Sequence, residues 1–382
     1  MYIKRKMTNR LKELSKSFPA IAIVGPRQSG KTTLAKQTFP DALYYSLESP
    51  DTRSLITSDP RSFFKNHKKP MILDEVQKTP EIFSYLQEFI DSENKPGRYI
   101  LTGSQNFSIY EKITQTLAGR MYICKLLPFS LSEIKGKYKS DDYHQLLLKG
   151  FYPRLYSTNM KYCDLYPSYI ETYIERDVRQ IKNIKDLSLF TKFLQIAAGH
   201  VGQLVNLSEI GNQVGVSHNT VRDWFSILEA SYIVFFLRPF HKNIKKRLVK
   251  QPKLYFYDTG VLCNLLNISD FDQLFSHYNK GGIFESFVIS EFFKRKFNTG
   301  SQEKFSFYRD SKGHEVDLLI EKGQKVDAIE IKSSSTFNKS FLKNIKYLNK
   351  TADGIINDSA VIYGGNLKNS INNIDIIPWK DF

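Results

Sequence analysis

Short apolar runs alternate with amphipathic stretches through the first third of the chain. Ala20–Val24, Leu43–Leu47, Met71–Leu73, Tyr99–Thr102 and Met121–Lys125 are predicted strands, with helices between them. Such alternation of apolar strands with helices predicts an α/β fold around a parallel sheet covered on both faces. From about Leu146 to Gln203 the period turns helical, and it is mixed to about Leu266. A loop-like stretch, His277 to Gly282, then precedes a further helix and two short strands. Three regions follow: residues 1–138, 139–274 and 275–382.

Charge adds a class of partner. The 382 residues hold 55 Lys and Arg against 39 Asp and Glu, a formal charge of +16, which favours a polyanion such as nucleic acid or an acidic membrane surface. A hydrophobic share of 41% supports packed cores and argues against disorder as the main state. Cys124, Cys163 and Cys263 lie far apart without a neighbouring histidine cluster, so neither a zinc site nor a disulfide framework is expected. No apolar run approaches the ~20 residues needed to span a bilayer, and Met1 to Lys16 lacks a signal-peptide core. A cytoplasmic protein with no membrane partner is the expectation.

Gly25-Pro26-Arg27-Gln28-Ser29-Gly30-Lys31-Thr32, followed by Thr33, matches a phosphate-binding loop between a strand and a helix. Backbone N–H groups at such a helix start point at phosphates, and the helix dipole adds positive potential. Lys31 would bridge the outer phosphates of ATP, and the Thr32 hydroxyl would sit on Mg2+. Met71-Ile72-Leu73 is a buried strand whose carboxyl end delivers Asp74, a second magnesium ligand, and Glu75, a base for the attacking water. Ser104, at the end of another strand, is placed to touch the γ-phosphate or the water, as is Gln105. Arg120 ends a helix where an arginine would reach a nucleotide held by a neighbouring subunit, which implies a homo-oligomer. The motif order resembles an AAA+-type ATPase domain, and Arg120 falls where that family carries its arginine finger. No guanine-selecting Asn-Lys-x-Asp stands in the expected region, which favours ATP.

In the middle, Leu207 to Val216 is a short helix ending in a glycine turn, and Ser217 caps a second helix, His218 to Glu229. Strands Tyr232–Leu237 and Leu254–Tyr257 flank a basic stretch containing Lys242, Lys245, Lys246, Arg247 and Lys250. Two helices, a hairpin and a basic tip describe a winged helix. Asn219, Thr220, Arg222 and Asp223 are predicted to face outward, toward the DNA major groove.

Near the carboxyl end Glu285 sits on the apolar face of a helix and needs a partner or a metal. Strands Glu315–Ile320 and Val326–Lys332 are predicted to turn about Lys322-Gly323, setting Asp317 across from Ala328 and diagonal to Glu330. Asp317 and Glu330 would bind magnesium, which lowers the pKa of bound water, while Lys332 orients the hydroxide against a phosphodiester. This order resembles the PD-(D/E)xK nuclease superfamily. The resemblance implies an α+β restriction-endonuclease-like domain, with Asp317 as metal aspartate, Glu330 as second metal acid, Lys332 as catalytic lysine and Glu285 as helix acid. The whole chain is similar to prokaryotic AAA-type ATPases with a carboxyl-terminal domain of unknown function. Further echoes are Gly150-Phe151-Tyr152-Pro153, Tyr173-Ile174-Glu175-Arg176-Asp177-Val178 and Tyr257-Asp258-Thr259-Gly260. The expectation is an ATP-regulated, magnesium-dependent DNA nuclease; the alternative is an ATP-dependent DNA- or protein-binding switch with an inactive nuclease-like domain.

Overall fold

The structure, a computed structural model, describes residues 2–104, 117–136, 142–175, 186–240, 249–352 and 354–382. Among them, the five strands predicted in the first third form one parallel sheet. They are β1 (Ala20–Val24), β2 (Leu43–Ser46), β3 (Met71–Asp74), β4 (Tyr99–Gly103) and β5 (Met121–Lys125), in the order β2-β3-β4-β1-β5. Every residue of β1, β3 and β4 is buried. Helices α1 (Met7–Leu14) and α2 (Lys31–Thr38) cover one face of the sheet, and α3 (Ile82–Glu93) packs into the core on the other. Interposing β4 between β1 and β3 lays its carboxyl end between the phosphate loop and the acids of β3.

A helical region follows. Helix α4 (Leu131–Ile134) opens with a capping box of Ser130 and Glu133. Helices α5 (Leu187–Gly199), α6 (Leu207–Val214) and α7 (His218–Ala230) come next, with Asn206 and Ser217 capping the last two through side-chain oxygens. Strands β6 (Val234–Pro239) and β7 (Lys253–Phe256) pair antiparallel, each within two residues of expectation. Helix α8 (Thr259–Leu265) leads to the long α9 (Lys280–Thr299), which carries Glu285.

The carboxyl-terminal strands are β8 (Lys304–Arg309), β9 (Glu315–Lys322), β10 (Lys325–Lys332), β11 (Ile356–Tyr363), β12 (Asn369–Ile371) and β13 (Ile374–Pro378). They join β6 and β7 in one mixed sheet of order β12-β13-β11-β10-β9-β8-β6-β7. The segments on either side of residue 275 therefore share a sheet, through parallel pairing of Arg238 with Ser306 and Pro239 with Phe307. One buried apolar cluster runs from the five-stranded sheet through the helical region to α9 and into β9 and β10. No helix among the described residues is long and apolar enough to cross a membrane.

Candidate functional site

The phosphate loop leaves β1 under tight packing: a Cβ on Gly25 would lie 2.1 Å from the Leu126 carbonyl oxygen, so only glycine fits. An open cavity of about 560 Å³ lies over the loop, bounded by Gly30 to Thr33, Asp74, Glu75 and, from the helical region, Arg154. The Thr32 hydroxyl donates to Asp74 Oδ1 at 2.8 Å, and Tyr44 donates to Asp74 Oδ2 at 2.8 Å. Thr102 of β4 also donates to Asp74. Lys31 is buried and donates to its own loop, to the carbonyls of Gly25 (3.1 Å) and Pro26 (2.8 Å). Burial lowers its ammonium to about 8, although Glu75 and Asp74 pull the other way.

Glu75 has a left-handed backbone, φ 57 and ψ 50. For a residue with a Cβ this backbone is strained. Ser104 donates to Glu75 Oε2 at 3.0 Å, and the Gln77 amide donates to the same oxygen. The Ser104 hydroxyl, expected at the phosphate or the water, is turned onto the carboxylate of Glu75, the expected base for that water. Arg27 and Gln28 line the cavity, with the Arg27 guanidinium over the Tyr173 ring at 5.5 Å. Beside it, a cavity of about 270 Å³ has walls from Ile3, Phe129 and Pro153, with Thr33 and the Gln37 amide facing in.

Arg120 lies elsewhere. It is half-buried at the surface and pairs with Asp91 of α3, its Nη2 being 2.9 Å from Oδ2. The structure does not bring it to this chain's own phosphate cavity.

Helices α6 and α7 pack through buried Ile210, Val214, Val221, Trp224 and Phe225. Asn219, Arg222 and Asp223 are exposed on α7, and Thr220 is half-buried, so the predicted outward face is present. Lys250 is exposed, whereas Lys242, Lys245, Lys246 and Arg247 lie outside the described residues, as do Gln105, Arg176, Asp177 and Val178.

The carboxyl-terminal residues do converge, in a register different from the expected one. Lys322 pairs with Lys325 and Leu319 with Ala328, so the turn is Gly323-Gln324. Moving the turn's centre by one residue shifts the register by two and leaves the faces unchanged. Extended, this pairing sets Asp317 level with Glu330. Lys332 Nζ lies 2.7 Å from Glu330 Oε1 and 3.6 Å from Asp317 Oδ2, which also accepts the Ile331 N–H at 2.8 Å. Glu330 Oε2 is buried without a hydrogen-bond partner. Lys253 of β7 intrudes from the helical region, 2% exposed, with Nζ 3.8 Å from Glu285 Oε2, 3.8 Å from Asp317 Oδ1 and in contact with Glu315. Tyr255 donates to Glu285 Oε2 at 3.0 Å. Burial, then the charge of Asp317, pushes the carboxyls of Glu285 and Glu330 upward. Burial pulls Lys253 down, but Glu285, Asp317 and Glu315 together hold it above an ordinary lysine.

Residues 17–135 match the family model of an AAA domain. Residues 140–272 and 280–382 match two domains of unknown function, DUF8612 and DUF4143. The chain therefore holds an AAA-type P-loop domain followed by two regions without an assigned role. An uncharacterized protein of Mycobacterium tuberculosis is 27% identical over 338 residues, covering 87% of this chain and 74% of that one. An uncharacterized protein of Haemophilus influenzae is 24% identical over 182 residues, 42% of this chain and 44% of its own. Among solved structures, the Walker-type ATPase of Pyrococcus abyssi is 14% identical, with a TM-score of 0.47 over 69% of this chain and 96% of that one. AMPPCP-bound DnaA of Aquifex aeolicus is also 14% identical, with a TM-score of 0.31 over 58% of this chain and 85% of that one.

Sequence reasoning missed several members of both clusters. Tyr44 and Thr102 clamp Asp74 from neighbouring strands, and only the strand order reveals them. Arg154 follows directly on the quoted Gly150–Pro153 segment, which was the available signal. Tyr255 falls within the expected strand Leu254–Tyr257 and Lys253 just before it, and no sequence pattern marks either as a site residue. Arg5 is 4% exposed and donates to the Ser29 carbonyl of the phosphate loop at 2.8 Å, an isolated arginine in a basic terminus that no pattern singled out.

Proposed function

We propose that the chain binds and hydrolyses ATP and that its nucleotide state governs engagement of DNA through α7. The observation that carries the first half is the grouping of Lys31, Thr32, Asp74 and Glu75 around one open cavity at the carboxyl end of a parallel sheet. A threonine hydroxyl and an aspartate oxygen together suit a hard cation, so Thr32 and Asp74 would hold magnesium. Bound there, the ion would offset phosphate charge. Lys31 would exchange the Gly25 and Pro26 carbonyls for phosphate oxygens. Glu75 would take a proton from the attacking water, with Ser104 and Gln77 fixing its carboxylate. Arg154 would add positive charge from the helical region, so that phosphate binding pulls that region toward the loop. The adjoining cavity, with Ile3, Phe129 and Pro153 in its walls and Arg5, Thr33 and Gln37 among its polar groups, would take the base.

For DNA, the support is the exposed polar face of α7 on a chain of charge +16. Labelled duplex should bind more weakly to Arg222→Glu than to wild type, and wild-type affinity should fall steeply with salt. Equal affinity of the two proteins across the salt series would move DNA off α7.

A second reading, magnesium-dependent DNA cleavage, is favoured by the meeting of Glu285, Asp317, Glu330 and Lys332 and by the unpartnered Glu330 oxygen. Cutting of plasmid by wild type and not by Lys332→Ala would support it. Absence of cutting under every metal and nucleotide condition, with ATP turnover intact, would leave the binding switch.

A further inference from the structure

The carboxylates that would grip a metal already face ammonium groups. Lys253 reaches Glu285, Glu315 and Asp317, and Lys332 reaches Glu330 and Asp317. Arg309 takes the other oxygen of Glu315 at 2.9 Å. Among the described residues, no three His, Cys, Asp or Glu side chains are grouped so as to hold a metal ion. Lys253 is buried, and Leu204 bridges its backbone, so the ammonium is built in rather than a mobile surface charge.

We propose that Lys253 is the resident cation of this carboxylate cluster and excludes a divalent ion from it. The cluster is then an ion-pair joint between β7 and the carboxyl-terminal strands. Four carboxylates meet two lysines and one arginine, leaving one negative charge in excess. Taking away the ammonium alone would leave the half-buried Glu285 and Glu315 and the buried Asp317 facing one another unneutralised, a costly arrangement that a divalent cation relieves. The inference stands against the metal-dependent cleavage reading of this cluster, does not depend on the ATP reading, and has a test that contains no nucleotide.

The test titrates full-length, nucleotide-free protein with Mn2+, reading free ion by electron paramagnetic resonance. Wild type, Lys253→Met, Lys253→Arg, Asp317→Asn and the Lys253→Met/Asp317→Asn double variant are compared. The phosphate cavity is the same in all five, so its contribution cancels. Lys253→Met is expected to gain one Mn2+ about ten-fold tighter or more than any wild-type site. That gain should be absent from Lys253→Arg and lost in the double variant, and Mn2+ should raise the melting temperature of Lys253→Met more than that of the other four. The inference is overturned if wild type binds a Mn2+ that Asp317→Asn loses, or if folded Lys253→Met gains none. The wild-type against Asp317→Asn comparison decides the matter even where Lys253→Met fails to fold.

Discussion

Lys31 donates to the loop it would leave on binding phosphate, and its burial makes that exchange measurable. Its pKa falls from the ordinary 10.5 to about 8, mainly because desolvation disfavours the ammonium. A lowered lysine pKa costs stability in full below about pH 8, and the cost is relieved as pH rises toward 10.5. Phosphate oxygens would restore the charge, so ATP binding near pH 9 should take up a proton, roughly none near pH 7, and none at either pH in Lys31→Arg. Binding heats in two buffers of unlike ionisation enthalpy would show it; identical heats near pH 9 would refute the lysine's role. Glu75→Gln should still bind ATP while turnover falls about 10²-fold or more, and near-normal turnover would remove Glu75 as the base. The residue types at both positions were legible because loop and strand carry them as contiguous patterns. The left-handed turn at Glu75 and the Ser104 and Gln77 contacts were not, since they arise from how β3 meets β4. Lys253 was invisible for the same reason: its three partners come from α9 and β9.

At the scale of elements, segments that stood out only as family echoes prove to be one joint. Gly150 has φ +62, and a Cβ there would sit 2.0 Å from the Tyr166 hydroxyl and 2.6 Å from Asp258 Oδ1. Asp258 caps α8 through the N–H groups of Gly260 (3.0 Å) and Val261 (3.1 Å), and it accepts the Phe151 N–H at 2.7 Å. Asp258→Ala would strand those buried donors, and each unsatisfied group costs about 1–3 kcal/mol. Its melting temperature should fall by several degrees while the circular dichroism of the folded chain is kept; an unchanged melt would show that the joint holds without its acid. Element identity was legible wherever caps and apolar period agreed, as at Asn206 and Ser217. The β9–β10 register was not, because Lys322-Gly323 and Gly323-Gln324 are both acceptable turns and differ by a shift that preserves every face.

Across the whole molecule, the three regions are tied by more than apolar packing. Arg5 joins the Ser29 carbonyl of the phosphate loop to Glu133 (3.0 Å) and to the Leu127 carbonyl (2.7 Å). Glu133 closes the cap of α4, and the first N–H of that helix, on Leu131, donates to Glu291 of α9 at 2.7 Å. Glu291 is buried, which pushes its carboxyl upward, and Lys294 partly offsets that at 2.8 Å. Lys294 in turn lies over the Phe151 ring. This buried polar chain runs from the nucleotide loop to the helix that bears Glu285, and it links segments that the sequence separates at residues 139 and 275. Contiguity alone is not coupling; the demonstration is a state change at one end read at the other. In the Glu75→Gln background, adding ATP should change amide hydrogen exchange in α9. Glu291→Gln keeps the volume but weakens the charge-assisted bond to Leu131, and it should blunt the α9 response while leaving ATP affinity within about two-fold, since α9 touches no nucleotide. Arg5→Lys, which keeps one cation but cannot span three acceptors, should blunt it further and weaken binding as well. If α9 responds to ATP equally in all three proteins, the regions are coupled by another route, through Arg154 at the rim of the phosphate cavity; if α9 does not respond in any of them, nucleotide state stays within the first region.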